Sequence, residues 1–357
     1  MTTCLDDDDL ARFVGEPATS AWRAVRESHI DTCGACRARV ALALIELGVD
    51  APQGGGSTTA PAEGPPFAGQ GSRFRWAEGD RIGGHVLLEE LGRGGMGVVF
   101  AAREVATGAE HALKFLLSTD AKHARRLLRE ARAMQITHPA IVPVERILHD
   151  VDVGPVLVMP RLRGTNLAAR ILGGARPTLE EAGRIVARLL EALDVVHRLG
   201  AVHRDVKPGN VFVEDGGAVR LLDFGLVWLD VERTPFASLT QLTTTTAVVG
   251  TPRYLAPEVV HGARADARSD LWGVGHVAFE SLTGDRAVRG AHTGAILREL
   301  SRETPLARAD ERDPRVPRPI ADVVATLLTK DASARAPSAE VALGWWRHAF
   351  ATSGIAI

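Results

Sequence analysis

His203-Arg204-Asp205-Val206-Lys207-Pro208-Gly209-Asn210, followed by Leu221-Leu222-Asp223-Phe224-Gly225, is the stretch on which the reading of this chain turns. At roughly one in twenty per position, five fixed residues are expected by chance about 10⁻⁴ times in a chain of this length. Composition sharpens the point. The chain has four lysines (Lys114, Lys122, Lys207, Lys330) and two asparagines (Asn166, Asn210), arginine carrying almost all other positive charge. Chemically, Asp205 offers a carboxylate able to accept or orient a hydroxyl proton. Asn210 and Asp223 are hard oxygen ligands of the kind Mg²⁺ prefers, and Lys207 adds positive charge where a phosphoryl group would transfer.

Upstream lies Gly92-Arg93-Gly94-Gly95-Met96-Gly97-Val98-Val99, a GxGxxG set on a strand–turn–strand pattern. Glycine lets the backbone approach phosphates closely. With 36 glycines in the chain, such spacing arises by chance roughly 0.3 times, so alone it reads equally as a glycine-rich hairpin. His111-Ala112-Leu113-Lys114 then places a lysine in an apolar strand, where an ammonium is costly unless it meets anions. Glu130 lies on the arginine-rich helical run 121–136 and is a natural partner for Lys114 if that helix packs on the sheet.

This ordered set resembles the eukaryotic-like Ser/Thr protein kinases of bacteria over roughly residues 81–351. The resemblance implies an α+β, bilobal protein-kinase fold, with a β-rich N-lobe at about 81–159 and an α-rich C-lobe at about 163–351. It also implies that Gly92, Gly94 and Gly97 cradle the phosphates of ATP while Leu91, Val99 and Ala112 wall the adenine. Lys114, paired to Glu130, would hold the α- and β-phosphates, Asp205 would be the catalytic base, and Asn210 with Asp223 would bind Mg²⁺ or Mn²⁺. Lys207 after the HRDV run resembles the Ser/Thr-specific form. Further along, Gly250-Thr251-Pro252-Arg253-Tyr254-Leu255-Ala256-Pro257-Glu258 resembles the segment that closes an activation loop. Asp270-Leu271-Trp272-Gly273-Val274-Gly275 looks like the buried helix supporting the catalytic loop, and Arg335 would pair with Glu258.

By the same resemblance the hinge falls at Val158–Leu162, with Met159 as gatekeeper and Pro160 where an acidic residue is common. Proline keeps its carbonyl but loses its N–H. The adenine contacts expected there use that carbonyl and the N–H of Leu162, so ATP binding is expected to survive. Between Asp223 and Glu258, Thr240, Thr243, Thr244, Thr245 and Thr246 form a cluster, read either as a polar loop or as a phosphorylation site. Alignment to the bacterial family selects Thr243 and Thr245, with Arg204 and Arg126 as the phosphate pocket. Trp228 stands where many relatives carry a basic residue, so that pocket lacks one arm.

The 357 residues correspond to about two domains. With 42 Lys plus Arg against 44 Asp plus Glu, the net charge is −2, so no global basic field draws the chain onto nucleic acid. Mean hydropathy is +0.02 and no window reaches the 18 apolar residues of a membrane span. The N-terminus MTTCLDDDDL lacks a secretory leader, and a cytoplasmic location is expected. Residues 51–80 have the Gly/Pro/Ser/Thr composition of a linker, separating a head at 1–50 from the body. The body opens with strands at 85–91, 98–102, 112–117 and 156–159, and becomes largely helical after Leu162, with amphipathic runs at 179–199 and 271–283.

In the head, His29-Ile30-Asp31-Thr32-Cys33-Gly34-Ala35-Cys36 reads HxxxCxxC, and Cys4 is a fourth candidate ligand. Structural zinc, a thioredoxin-like redox CxxC and free cysteines are the readings open to these residues. No βαβ pattern surrounds them. The spacing resembles the zinc-binding anti-sigma-factor fold over about residues 4–47, which implies a small all-α module holding Zn²⁺ through Cys4, His29, Cys33 and Cys36. Such a head would recruit a sigma factor or other regulator, sense redox state, or dock partners. The expected activity is transfer of the γ-phosphate of ATP to protein Ser/Thr hydroxyls. The alternative is a pseudokinase scaffold whose zinc head recruits a transcription regulator. Substrate identity and dimerisation are not readable from the chain.

Overall fold

The computed structural model describes residues 76–94, 97–116, 137–150, 154–222, 252–290 and 292–357. The head with its four metal-ligand candidates, the run carrying Arg126 and Glu130, and the loop carrying Asp223, Trp228 and the threonine cluster lie outside them.

The N-terminal lobe is an antiparallel sheet: β1 (Arg81–Ile82), β2 (His85–Gly94), β3 (Gly97–Glu104), β4 (Glu110–Leu116), β5 (Arg146–Asp150) and β6 (Gly154–Pro160), in the order β1-β2-β3-β4-β6-β5. Alternation of side chains across the pleat divides it into two faces. Leu87, Val98, Phe100, Leu113, Phe115, Val156 and Val158 form one buried cluster. Val99, Ala101, Ala112, Lys114, Leu157 and Met159 alternate with them and so line the opposite face. Trp76, in the stretch of linker composition, stacks on Phe115 with ring centroids 4.8 Å apart. Packing against the sheet therefore begins before residue 81, where its first strand starts.

Past Leu162 the chain is largely helical, as its sequence suggests, but strands are present too. A second, three-stranded antiparallel sheet joins β7 (Gly164–Asn166), β8 (Val211–Glu214) and β9 (Val219–Leu221). These strands are three or four residues long, too short for periodicity to reveal. The helices are α1 (Leu167–Leu172), α2 (Leu179–Arg198), α3 (Pro257–Val260), α4 (Ala267–Thr283), α5 (Thr293–Ser301), α6 (Ala309–Arg312), α7 (Arg318–Leu327) and α8 (Ala339–Thr352).

α2 starts where the Thr178 hydroxyl accepts from Glu181 N, with Glu180 and Glu181 favourably placed at the positive helix end. α4 starts at an Asp266–Ser269 capping box and ends at Gly284, whose φ of 73° is cheap only for glycine. The expected amphipathic run at 271–283 is corrected here. Every residue from Asp270 to Leu282 is buried, so α4 is the central post of the lobe, with α2, α7 and the Pro208–Asn210 turn packed around it.

Candidate active site

The HRD stretch crosses between α2 and a 3₁₀ turn at Pro208–Asn210 that leads into β8. Its backbone is pinned from beneath by one side chain. Asp270 Oδ2 accepts from His203 N at 2.7 Å and from His197 Nε2 at 2.8 Å, while Oδ1 accepts from Arg204 N at 2.6 Å. Asp270 is 1% exposed, and a buried carboxylate is tolerable because three donors converge on it. Arg204 takes φ 67°, a left-handed conformation uncommon for a side chain with Cβ, which the two flanking bonds hold in place.

His203 is fully buried. Its Nε2 donates to Leu222 O at 3.0 Å, and its Nδ1 accepts from Asp205 N at 3.3 Å. These two partners fix the Nε2–H tautomer. They also tie the loop bearing Asp205 to the residue immediately before Asp223. Leu222 N donates to Asn210 O at 2.8 Å, closing the same connection a second way.

Two side chains, one charged and one polar, meet at Asp205. Lys207 Nζ donates to both carboxylate oxygens at 2.8 Å, and Asn210 Nδ2 donates to Oδ2 and to the Asp205 carbonyl, each at 2.8 Å. The carboxylate is thereby held by a cation on one side and an amide on the other, yet its side chain stays one-third exposed. It is oriented but still reachable. Because Nδ2 of Asn210 is committed to Asp205, the amide oxygen is the atom left for a hard cation, which fits the ligand expected of it. No group of three or more His, Cys, Asp or Glu side chains among the described residues is placed to hold a metal.

On the sheet above, Gly94 and Gly97 face each other across the β2–β3 turn, and Gly92 pairs with Val99. A Cβ built on Gly92 would meet nothing within 4 Å, leaving open space over the strand. Lys114 is 4% exposed and sits between Val99 and Leu157 in the ladder, while Ala112 pairs with Met159. Leu91, Gly92, Val99, Ala112, Lys114, Met159 and Leu162 are thus carried by neighbouring strands and the segment after β6. Gly83, by contrast, takes φ 49° to reverse the chain in the β1–β2 turn, where a Cβ would also lie 2.6 Å from Leu148 Cδ1.

The activation-segment end is also assembled. Arg335 Nη1 and Nη2 reach Glu258 Oε1 and Oε2 at 2.8 and 2.7 Å, and the guanidinium lies 5.1 Å from the Trp272 ring centroid. This is the expected pairing. Burial raises the affinity of Glu258 for a proton, but the hydrogen bond and charge of Arg335 outweigh it and hold the carboxyl below its ordinary value. Nearby, Tyr254 Oη donates to Glu280 Oε2 at 3.3 Å, and burial pushes Glu280 up to about 7. His276, edge-on to Tyr254 and Trp272, has no partner for either ring nitrogen, and desolvation pushes it down to about 3.

Sequence reasoning missed the part of His197, and that of Gly273, where a Cβ would lie 2.4 Å from Val206 O. The signal for the first was a histidine next to the buried face of α2, for the second a glycine inside an all-apolar helix.

A β-sheet lobe carrying a glycine turn and a buried lysine, followed by a largely helical lobe carrying an oriented Asp-Lys-Asn cluster, defines the class: bilobal phosphotransferase architecture. The protein kinase domain family matches residues 85–346, and the chain belongs to it. A DNA damage-responsive serine/threonine-protein kinase of Deinococcus radiodurans, RqkA, is 36% identical over 74% of this chain and 39% of its own length. The serine/threonine-protein kinase PrkC of Bacillus subtilis is 32% identical over 73% of this chain and 40% of its own. The chain thus spans about two fifths of these relatives. A crystal structure of Rad53 residues 1–466 shares the fold, with a TM-score of 0.61 at 24% identity, covering 74% of this chain and 65% of that one. No helix among the described residues is long and apolar enough to cross a membrane.

Proposed function

We propose that the chain is an ATP-dependent protein Ser/Thr kinase, and the observation that carries this is the Asp205 carboxylate held at 2.8 Å by both Lys207 and Asn210. Family membership and the names of the bacterial relatives support the same activity. In this reading Asp205 accepts the proton of a substrate Ser or Thr hydroxyl as the hydroxyl oxygen attacks the γ-phosphorus and the bond from that phosphorus to the β–γ bridging oxygen breaks, ADP leaving with the electron pair. Lys207 holds that carboxylate in place and adds positive charge beside the transferring group. Lys114, paired to Glu130, meets the α- and β-phosphates, and the backbone at Gly92, Gly94 and Gly97 lies over them. The adenine sits between Leu91, Val99 and Ala112 on one side and Met159 and Leu162 at the hinge; the Rad53 structure of the same fold is a complex with AMP-PNP. Asn210 and Asp223 would hold Mg²⁺, which when bound neutralises charge developing on the phosphoryl oxygens.

Two further parts belong to this proposal. Phosphorylation of Thr243 or Thr245 docks on Arg204 and Arg126 and orders the activation segment whose end is the Glu258–Arg335 pair. The N-terminal Cys4, His29, Cys33 and Cys36, three thiolates and an imidazole, are a donor set zinc accepts, and the metal supplies the folding energy that a head of about 50 residues lacks. That head offers a docking surface for a regulator, a sigma factor among them, in a cytoplasmic protein.

The test uses the purified full chain with ATP, Mg²⁺ and a generic acceptor protein, followed by phosphoamino-acid analysis. Phosphoserine and phosphothreonine that vanish on chelation of Mg²⁺ and in Lys114→Met are expected. Silence of the wild type with Mg²⁺ and Mn²⁺ overturns the enzyme in favour of a scaffold. Metal analysis should return one zinc per chain, lost in Cys33→Ser; a full-length chain free of zinc removes that part.

A further inference from the structure

The segment just past β6 carries an arginine that reaches back to β2. Arg161 Nη2 lies 2.9 Å from Glu89 Oε1, an ion pair between residues 72 apart in sequence. Glu89 is on β2, three residues before Gly92, and Arg161 follows Met159 and Pro160. The pair therefore bridges the strand that carries the glycine turn and the segment that follows β6, which the kinase reading makes the hinge.

The local backbone explains how the two side chains meet. β2 and β3 fall out of register between Leu87 and Glu90, so that Leu88 and Glu89 together oppose the single Ala101. Such a bulge bends the strand and redirects a side chain that a regular ladder would hold elsewhere. A second shift lies between Glu90 and Gly92, leaving Leu91 as an exposed large apolar residue beside the open space over Gly92. At the other side, the Pro160 ring fixes its own φ and so sets the direction in which Arg161 leaves the sheet. Glu90 is occupied separately, pairing with Arg93 Nη2 at 2.7 Å. The two adjacent glutamates thus do different things: Glu90 braces the glycine turn within its own strand, and Glu89 braces the strand against the hinge.

We propose that Arg161 is a positioning residue for the nucleotide, its ion pair with Glu89 strapping the glycine-rich strand to the hinge and slowing nucleotide release. This rests on the kinase reading above. A strand free to lift lets the base and phosphates escape together; a strand tied at Glu89 lifts only when the pair breaks. Arg161 is about one-quarter exposed and Glu89 about two-thirds, so the strap is a surface pair of modest strength. Its breakage is expected to speed release by about two- to fivefold.

The experiment measures dissociation of a fluorescent ADP analogue by stopped flow from the full chain and from Glu89→Arg, Arg161→Glu and the reciprocal double variant. Each single variant should release nucleotide about two- to fivefold faster and raise KM for ATP by a matching factor. The double variant should return to the wild-type rate, because the pair re-forms with its charges exchanged, and the single-variant effect should shrink at high salt. Unchanged thermal unfolding in all four chains separates a strap from a structural brace. Additive effects in the double variant, or rates equal to wild type in both singles, overturn the strap while leaving the kinase reading intact. Failure of the wild type to bind the analogue overturns both.

Discussion

Replacing Asp270 by asparagine removes one negative charge from a site that three donors occupy, without changing the volume of the side chain. The asparagine keeps one oxygen, enough for Arg204 N at 2.6 Å, and turns its amide N–H₂ toward His203 N, which also donates. His197 can re-pair by exchanging tautomers, since its Nδ1 is buried without a partner. The variant therefore loses at least one hydrogen bond to a charged group, about 1.5–3 kcal/mol, and gains a buried donor facing a donor, about 1–3 kcal/mol more. The sum is a destabilisation of about 2.5–6 kcal/mol, against about 5–15 kcal/mol for a typical domain. Enough stability remains for the chain to fold, but the His203 amide, which flanks Arg204 at φ 67°, has lost its acceptor, and the loop bearing Asp205 relaxes. Urea unfolding followed by tryptophan fluorescence gives the first quantity, and initial phosphotransfer rates on the folded variant give the second. A loss below about 1 kcal/mol together with an unchanged kcat would refute the reasoning that Asp270 pins the catalytic loop.

Other outcomes follow from the same contacts. Glu258→Gln leaves the fully buried Arg335 with backbone carbonyls but no counter-charge from Glu258 and should cost about 3–5 kcal/mol at pH 7 by urea unfolding. Because the Glu258 carboxyl is held below its ordinary value, this contribution exists above about pH 4.5 and is lost as pH falls through the folded value, so wild type and variant should converge in acid. Glu280 has the opposite sign: its folded state keeps the proton up to about pH 7, so stability declines between about pH 4.5 and 7, and Glu280→Gln should flatten that slope. His276 is held neutral down to about pH 3 while the unfolded chain protonates near 6.5, so stability falls below that pH; His276→Phe, which keeps the edge-on aromatic contacts, should be more stable than wild type at pH 5. Gly273→Ala drives a methyl to 2.4 Å from Val206 O and should lower phosphotransfer by displacing the catalytic loop, measured as kcat at a temperature where the variant is folded.

Much of the site could be read from the chain because phosphoryl transfer demands particular side chains at fixed spacing. The HRD-to-Asn run, the glycine turn and Lys114 are local patterns, and scarcity of lysine and asparagine made them stand out. The Glu258–Arg335 pair, 77 residues apart, was legible for a different reason, as resemblance supplied what spacing could not. What stayed hidden is tertiary. Nothing in the sequence near Asp270 says that its carboxylate caps two backbone amides 66 and 67 residues away. β7, β8 and β9 are too brief for a period to show, and the burial of α4 on all sides reads from sequence as amphipathic because Asp270, His276, Glu280 and Ser281 are polar yet enclosed. The Glu89–Arg161 contact depends on a bulge, which shifts a side chain by one register step that no alternation pattern announces.

The measurement closest to the central claim is the initial rate of γ-phosphate transfer from ATP to a protein acceptor by the wild type and by Asp205→Asn, at matched folded concentration with Mg²⁺. The variant keeps the shape of the side chain and a partner for Lys207 but not a base that can take the hydroxyl proton. The wild type should transfer phosphate to serine and threonine, and the variant should be slower by at least about a hundredfold. Equal rates in the two chains would contradict the assignment of Asp205 and, with it, the account of the site.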